Sequence, residues 1–279
     1  MYKVKNHWIG VEKNPFTNLY EDVFEIEKES RIYVPEEKKK KITYYDKQAI
    51  CCGNVVEIIK YGKGMFEGFD GVATGKKTTL EKKKDYNIKR SALKLRRLIN
   101  CNVGESDLFI TLTYKENQED IKKGKEDFKN FIKRWNYERK KKKESRLKYV
   151  YVVEFQKRGA VHFHCIFFNP GYIKKKELSD LWELGFVKVN KIEHVDNVGA
   201  YVVKYMQKDL IDDRLTNSDL YGRSRGNLAE PIIIKNPQEL ATLEETLENK
   251  CVYETTYKSE HHLNITYKQY NFTRKKSKE

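Results

Sequence analysis

No stretch of about 18 consecutive apolar residues occurs in this 279-residue chain, so it lacks the signal of a membrane-crossing helix. The opening MYKVKNHWIG has none of the hydrophobic character of a secretory signal, and a soluble, cytoplasmic protein with no membrane partner is expected. Cysteine is scarce. The five residues at 51, 52, 101, 165 and 251 form neither a CxxC pair nor an even framework, which predicts reduced, mostly buried thiols. No GxxxxGKS or GxxxxGKT loop is present, so P-loop ATP chemistry is not encoded. Acidic residues are in deficit: 41 Asp and Glu face 56 Lys and Arg, for a net charge of +15. That excess implies a polyanionic partner, nucleic acid ahead of a membrane surface. The length suits one large domain or two small ones with a sizeable core.

The most informative stretch is Tyr149 to Phe168, YVYVVEFQKRGAVHFHCIFF, two β-branched and aromatic runs joined by a polar turn at Gly159. His162 and His164 are two residues apart, so their imidazoles leave one face of the second strand. Whether Glu154 joins them depends on register. Pairing Lys157 with Val161 sets Glu154 opposite His164 and beside the imidazoles, whereas a two-residue Arg158-Gly159 turn sends it to the other face. A shared site thus demands an odd loop or a bulge, which Gly159 permits. Two imidazoles and a carboxylate with open positions describe a catalytic site for a divalent cation. The competing reading is a strand whose histidines face water or fill a pocket.

The rest of the chain frames this hairpin. Residues 1 to 48 read as irregular and polar, with a solvated EEKKKK block at 36–41, and AICCGNVVEIIK at 49–60 as one or two strands before a Gly-rich turn region. An amphipathic helix follows, with Ile88, Ala92, Leu95 and Ile99 on one face and Lys89, Arg90, Lys94, Arg96 and Arg97 around the other. Those cations are either a phosphate-contact surface or a solvated face. LFITLTY at 108–114 reads as a central strand apolar on both faces, and residues 119–143 as a helix burying Phe128, Phe131, Ile132 and Trp135. A short helix at 174–184 and a strand at 186–192 complete a strand, helix, strand, strand, helix, strand order. The predicted class is α+β: a ferredoxin-like, RRM-like antiparallel sheet with helices on one face. The expected organisation is a basic N-terminal extension (1–105) packed on a core (106–212), then a C-terminal extension (213–279).

A last helix, about 197–210, places Tyr201, Lys204, Tyr205 and Lys208 at i, i+3, i+4 and i+7, while Val198, Val202, Val203, Met206 and Leu210 can be buried. A phenol titrates at about 10, so a nucleophilic tyrosine needs positive charge nearby, which the two lysines and a cation would supply. Read alone, the helix equally fits interfacial tyrosines with snorkelling lysines. His261 and His262 are adjacent, so a strand would point them to opposite faces and no second metal site is expected there.

LFITLTY, Glu154 with VHFHCIFF, and YVVKYMQKD at 201–209 together resemble motifs 1, 2 and 3 of the HUH endonucleases, in that order. The resemblance is to rolling-circle replication initiators of single-stranded DNA phages and Gram-positive bacterial plasmids. RSALKLRRLINCN before motif 1 and YGRSRGNLAEP at 221–231 resemble flanking stretches of such initiators, and the likeness covers roughly residues 88 to 231. It implies an HUH endonuclease core in which His162, His164 and Glu154 hold Mg²⁺ or Mn²⁺. Tyr201 and Tyr205, in a YxxKY pattern, would be alternating nucleophiles assisted by Lys204 and Lys208. Arg90, Lys94, Arg96, Arg97, Arg223 and Arg225 would contact DNA. Partners implied are single-stranded origin DNA, a host helicase and a polymerase, in a bacterial cell or a phage-infected host. Tyr205 with Lys208 and Asp209 also matches the single-tyrosine YxxKD pattern, which would make Tyr201 a packing residue. A relaxase or transposase of the same class, or a non-enzymatic single-strand-binding module, are the other readings; a closed structural-metal protein fits least.

Overall fold

The computed structural model describes residues 43–67, 80–191, 197–208, 221–247, 250–259 and 263–273, with the side chains of 80–85, 191 and 204–208 outside that description. These residues form two compact units, each built on its own five-stranded sheet.

The first unit joins β1 (Thr43–Cys52) and β2 (Val55–Glu67) to strands from the C-terminal region: β8 (Ile232–Ile234), β9 (Cys251–Ser259) and β10 (Leu263–Asn271), in the order β8-β1-β2-β10-β9. Strand β1 begins at Thr43, earlier than the irregular region expected to reach 48, because TYYDKQ is aromatic enough to join the sheet. Likewise β2 runs on to Glu67 through the expected turn region. Helix α5 (Pro237–Thr246) is N-capped by Asn236, whose side chain accepts the Gln238 and Glu239 N–H groups. It packs Leu240 and Leu243 against Ala49, Cys51, Val56, Ile58 and Ile234. All five cysteines are free thiols, and Cys51, Cys52 and Cys165 are buried.

The second unit holds α1 (Leu80–Asn100), β3 (Leu108–Tyr114), α2 (Ile121–Lys141), β4 (Lys148–Phe155), β5 (Val161–Phe168), α3 (Lys175–Trp182), β6 (Gly185–Lys191), α4 (Val198–Lys208) and β7 (Tyr221–Arg223). Its sheet runs β6-β3-β5-β4-β7, antiparallel at each paired edge. The first four of these strands have the split βαβ order, so the α+β class and antiparallel sheet are as expected. One part of that expectation is corrected: helices cover both faces. Helices α2 and α3 bury Phe128, Phe131, Trp135, Leu178 and Trp182 against Ile110, Leu112, Phe163, Cys165 and Phe167. Helices α1 and α4 bury Ala92, Leu95, Leu98, Ile99, Val198 and Val202 against Phe109, Val150, Val152, Ile166 and Phe168. The reason is local: the central strands alternate apolar residues onto both faces, and each apolar face must be taken out of water.

Asp107 ties the start of β3 to the end of β5. Its Oδ2 accepts the Gly104 N–H at 2.8 Å and its Oδ1 accepts the Asn169 N–H at 2.8 Å. Burial outweighs these two bonds and pushes its carboxyl up to about 7. Between about pH 4 and 7 the native state therefore holds a proton that the unfolded chain has released. This group's contribution is fully present below the ordinary carboxyl pKa and is lost as pH rises to about 7. Relative to wild type, Asp107→Asn should gain about 1 kcal/mol or more of unfolding free energy between pH 4.5 and 7.5, measured by urea denaturation. Phe131 is fully buried among Phe128, Trp135, Phe167 and Trp182. Phe131→Ala should cost about 3–5 kcal/mol in the same assay.

Candidate active site

The β4–β5 turn decides what the sheet can present. Gln156 and Ala160 close a three-residue loop, with the Gln156 N–H donating to Ala160 O at 2.9 Å, and Gly159 takes φ 88°, which favours glycine. This is the odd loop that a shared site requires. Register differs by two residues from the pairing considered in sequence: Glu154 lies opposite His162, and Val152 opposite His164. Because the shift is even, all three side chains stay on one face.

Glu154, His162 and His164 converge, with candidate ligand atoms within 4.8 Å of one another. Glu154 and His164 are buried and His162 is half-buried. The Glu154 Oε2 lies 2.5 Å from His164 Nε2, and the two imidazole centroids are 4.8 Å apart. Two threonines of β3 serve the rings. Thr113 Oγ1 is 2.9 Å from His162 Nε2, and Thr111 Oγ1 is 3.4 Å from His164 Nδ1. A hydroxyl on the second nitrogen of His164 fixes the ring with Nε2 toward Glu154, the arrangement by which outer groups orient a ligating imidazole. Phe109 stacks on His164 at 5.9 Å. Two imidazoles and a carboxylate fit a divalent cation that keeps positions open for oxygen ligands.

Thr111 and Thr113 were not read as site residues, although their signal was present. LFITLTY alternates Ile110, Leu112 and Tyr114 into one core and Phe109, Thr111 and Thr113 onto the histidine face, so the strand is not apolar on both faces throughout.

Helix α4 packs on this same face through Val198, Val202 and Val203. Tyr201 is half-buried, its ring edge-on to Phe109 at 5.7 Å. Aromatic contacts thus run from Tyr201 through Phe109 to His164. The side chains of Lys204, Tyr205 and Lys208 lie outside the described residues, as do Leu210, His261 and His262; the backbone places Tyr205 one turn beyond Tyr201. The helix start is held by two asparagines missed in sequence. Asn197 Oδ1 accepts the Ala200 N–H at 3.0 Å, and Asn100 of α1 accepts the Gly199 N–H at 3.0 Å while donating to Asn197 Oδ1 at 3.2 Å. Gly199 lets the helices touch here: a Cβ at this position would run into the Arg96 carbonyl oxygen.

The basic residues divide. Arg90 and Lys94 are exposed and Arg96 and Arg97 half-exposed on α1, the helix covering the histidine-bearing face. Arg223 is exposed, ion-paired with Glu230, and opposite Val150, hence on that face too. Arg225 is exposed, and its charge acts on the phenol of Tyr149, whose pKa is raised mainly by burial. Tyr149 packs with Phe128 on the opposite face, so Arg225 is not gathered with the cluster.

Comparison with known families adds one finding. Residues 107–210 match the family model of the ORF2-type replication-associated proteins. The matched segment spans β3 through α4 and so holds the threonines, the metal-competent hairpin and the tyrosine helix. No curated protein and no solved structure matches the chain. The match supports a replication-associated role in which DNA is the partner. No helix among the described residues is long and apolar enough to cross a membrane.

At an unobstructed helical site, replacing glycine by alanine gains up to about 1 kcal/mol. Gly199→Ala should instead cost about 1–3 kcal/mol, because the helices must separate. Urea denaturation reads the sign directly.

Proposed function

We propose that this protein is a rolling-circle replication initiator, an HUH-type endonuclease that nicks and rejoins single-stranded origin DNA through a tyrosine. The observation that carries the reading is the convergence of Glu154, His162 and His164 on the face where the tyrosine helix packs, inside the segment that matches a replication-associated family.

His162, His164 and Glu154 would hold Mg²⁺ or Mn²⁺, which when bound supplies charge stabilisation at the scissile phosphate. The chain's own groups do the rest. A phenol oxygen of Tyr201 or Tyr205 bonds to phosphorus and gives up its proton. The bond to the 3′ oxygen breaks, and that oxygen gains a proton to become a free 3′-hydroxyl for a polymerase. The 5′-phosphotyrosine keeps the energy of the phosphodiester, so rejoining runs in reverse without ATP. This accords with the missing P-loop and leaves strand separation to a host helicase. Lys204 and Lys208 fall on the helix stripe of the tyrosines, where positive charge would favour the phenolate. Arg90, Lys94, Arg96, Arg97, Arg223 and Arg225 supply exposed or half-exposed phosphate contacts. With two tyrosines one turn apart, the second can attack the regenerated junction and release the first strand. The setting is the cytoplasm of a bacterium or a phage-infected host.

The test incubates the protein with Mn²⁺ and labelled single-stranded oligonucleotides tiling both strands of the DNA that encodes it, then looks for a covalent adduct on a denaturing gel. His162→Ala and the Tyr201→Phe, Tyr205→Phe double variant should abolish the adduct, with each single tyrosine variant retaining part of it. Complete loss in Tyr205→Phe alone would assign one nucleophile. No adduct with any strand or cation, despite tight binding, overturns the nicking reading in favour of a binding module. In parallel, calorimetric titration with Mn²⁺ should give one site, weakened at least about 10-fold by Thr111→Val through loss of the imidazole's partner.

A further inference from the structure

Strand β6 forms an edge of the second sheet, and its two faces differ in character. Val187 and Val189 pack into the core shared with α2 and α3. The other face presents Phe186, 68% exposed, and exposed Lys188. Cross-strand pairing shows where that face leads. Phe186 is opposite Thr113, Thr113 opposite His162, and His162 opposite Glu154, so one row runs from the exposed ring to the metal-competent cluster. At about 4.8 Å per strand the ring's strand lies about 10 Å from that of His162, a span covered by two or three nucleotides.

The ring also borders a cleft. A cavity of about 530 Å³ is lined by Phe186, Thr113, Lys115, Lys157 and Arg158, among others. The three cations are exposed, and no carboxylate among the described residues pairs with them. Arg158 is held in place: its guanidinium donates to Tyr114 O at 2.5 Å, Lys115 O at 3.4 Å and Gln156 Oε1 at 3.1 Å. A large ring left in water on an otherwise alternating strand, beside three cations without described acidic partners, is the combination that single-stranded nucleic acid uses. Bases stack on the ring, and phosphates meet the charges.

We propose that Phe186 is a base-stacking platform for single-stranded DNA, with Lys115, Lys157 and Arg158 contacting the adjacent phosphates and Lys188 extending the track. The platform holds a nucleotide near the scissile phosphate and so sets how the strand crosses the cluster. This rests on the nicking reading for its purpose but not for its measurement, because stacking requires no cation. None of these residues belongs to the basic helix or to the loop after β7, so the platform is a separate contact from the arginines named above.

The experiment measures fluorescence anisotropy of labelled oligothymidylate, 15 nucleotides long, in EDTA. A 15-unit abasic tetrahydrofuran-phosphate oligomer of equal charge is the second probe. Phe186→Ala should weaken oligothymidylate binding about 5- to 100-fold while leaving the abasic probe unchanged. Phe186→Trp should bind oligothymidylate within about 2-fold of wild type or more tightly. Lys157→Ala should weaken both probes alike. Equal binding of oligothymidylate by wild type and Phe186→Ala overturns the platform, as does equal loss for both probes. A failed nicking reading would appear separately, as wild type giving no adduct with Mn²⁺ while the ring's preference for bases persists.

Discussion

One constraint governs this site: the side chains of a strand alternate, so a slip of one residue between β4 and β5 would exchange every side chain between the faces. The three-residue turn closed by Gly159 sets the parity, and the opposite face enforces it. Val153, Phe155, Val161, Phe163, Cys165 and Phe167 all lie in the core under α2 and α3. A slip that removed Glu154 from the histidines would pull these residues toward the other face. The ligand geometry is thus a by-product of a hydrophobic register, and the core defends it more firmly than the three polar side chains could.

Around that hairpin the site is assembled from distant segments by short polar bonds. The threonines of β3 hold the imidazoles, Phe109 carries ring contact from His164 to Tyr201, and Asn100 reaches from α1 to the first turn of the tyrosine helix. Each bond is modest by itself. Their effect is to restrict a helix and two rings that would otherwise have rotational freedom, and restricting freedom before the reaction is a principal way in which a nucleophile and a bound phosphate are brought into line.

Much of this was legible in sequence where a pattern was both local and periodic. The alternation in VHFHCIFF put both histidines on one face, and the stripe Ile88, Ala92, Leu95, Ile99 named the buried side of α1. Register was not legible, because it depends on whether the chain spends two or three residues in a turn, and Lys157-Arg158-Gly159 permits either. The second helical layer was missed for a related reason. Apolar residues on both faces of the strands had been recognised, yet nothing in the split βαβ pattern says that helices before and after it will fold back to cover the second face. Asn100 and Gly199 carry meaning only as a pair, 99 positions apart.

Helix α1 ends at Asn100, before the stretch that family resemblance marks out at 107–210. A fragment begun at residue 107 would keep the metal ligands, the threonines and both tyrosines. It would also strip Ala92, Leu95, Leu98 and Ile99 from Phe109, Val150, Val152 and Ile166, and would leave the tyrosine helix without its acceptor for Gly199. The piece of chain that is recognisable is smaller than the piece that is cooperative, and a boundary drawn by similarity would cut through the layer that keeps the nucleophiles in place.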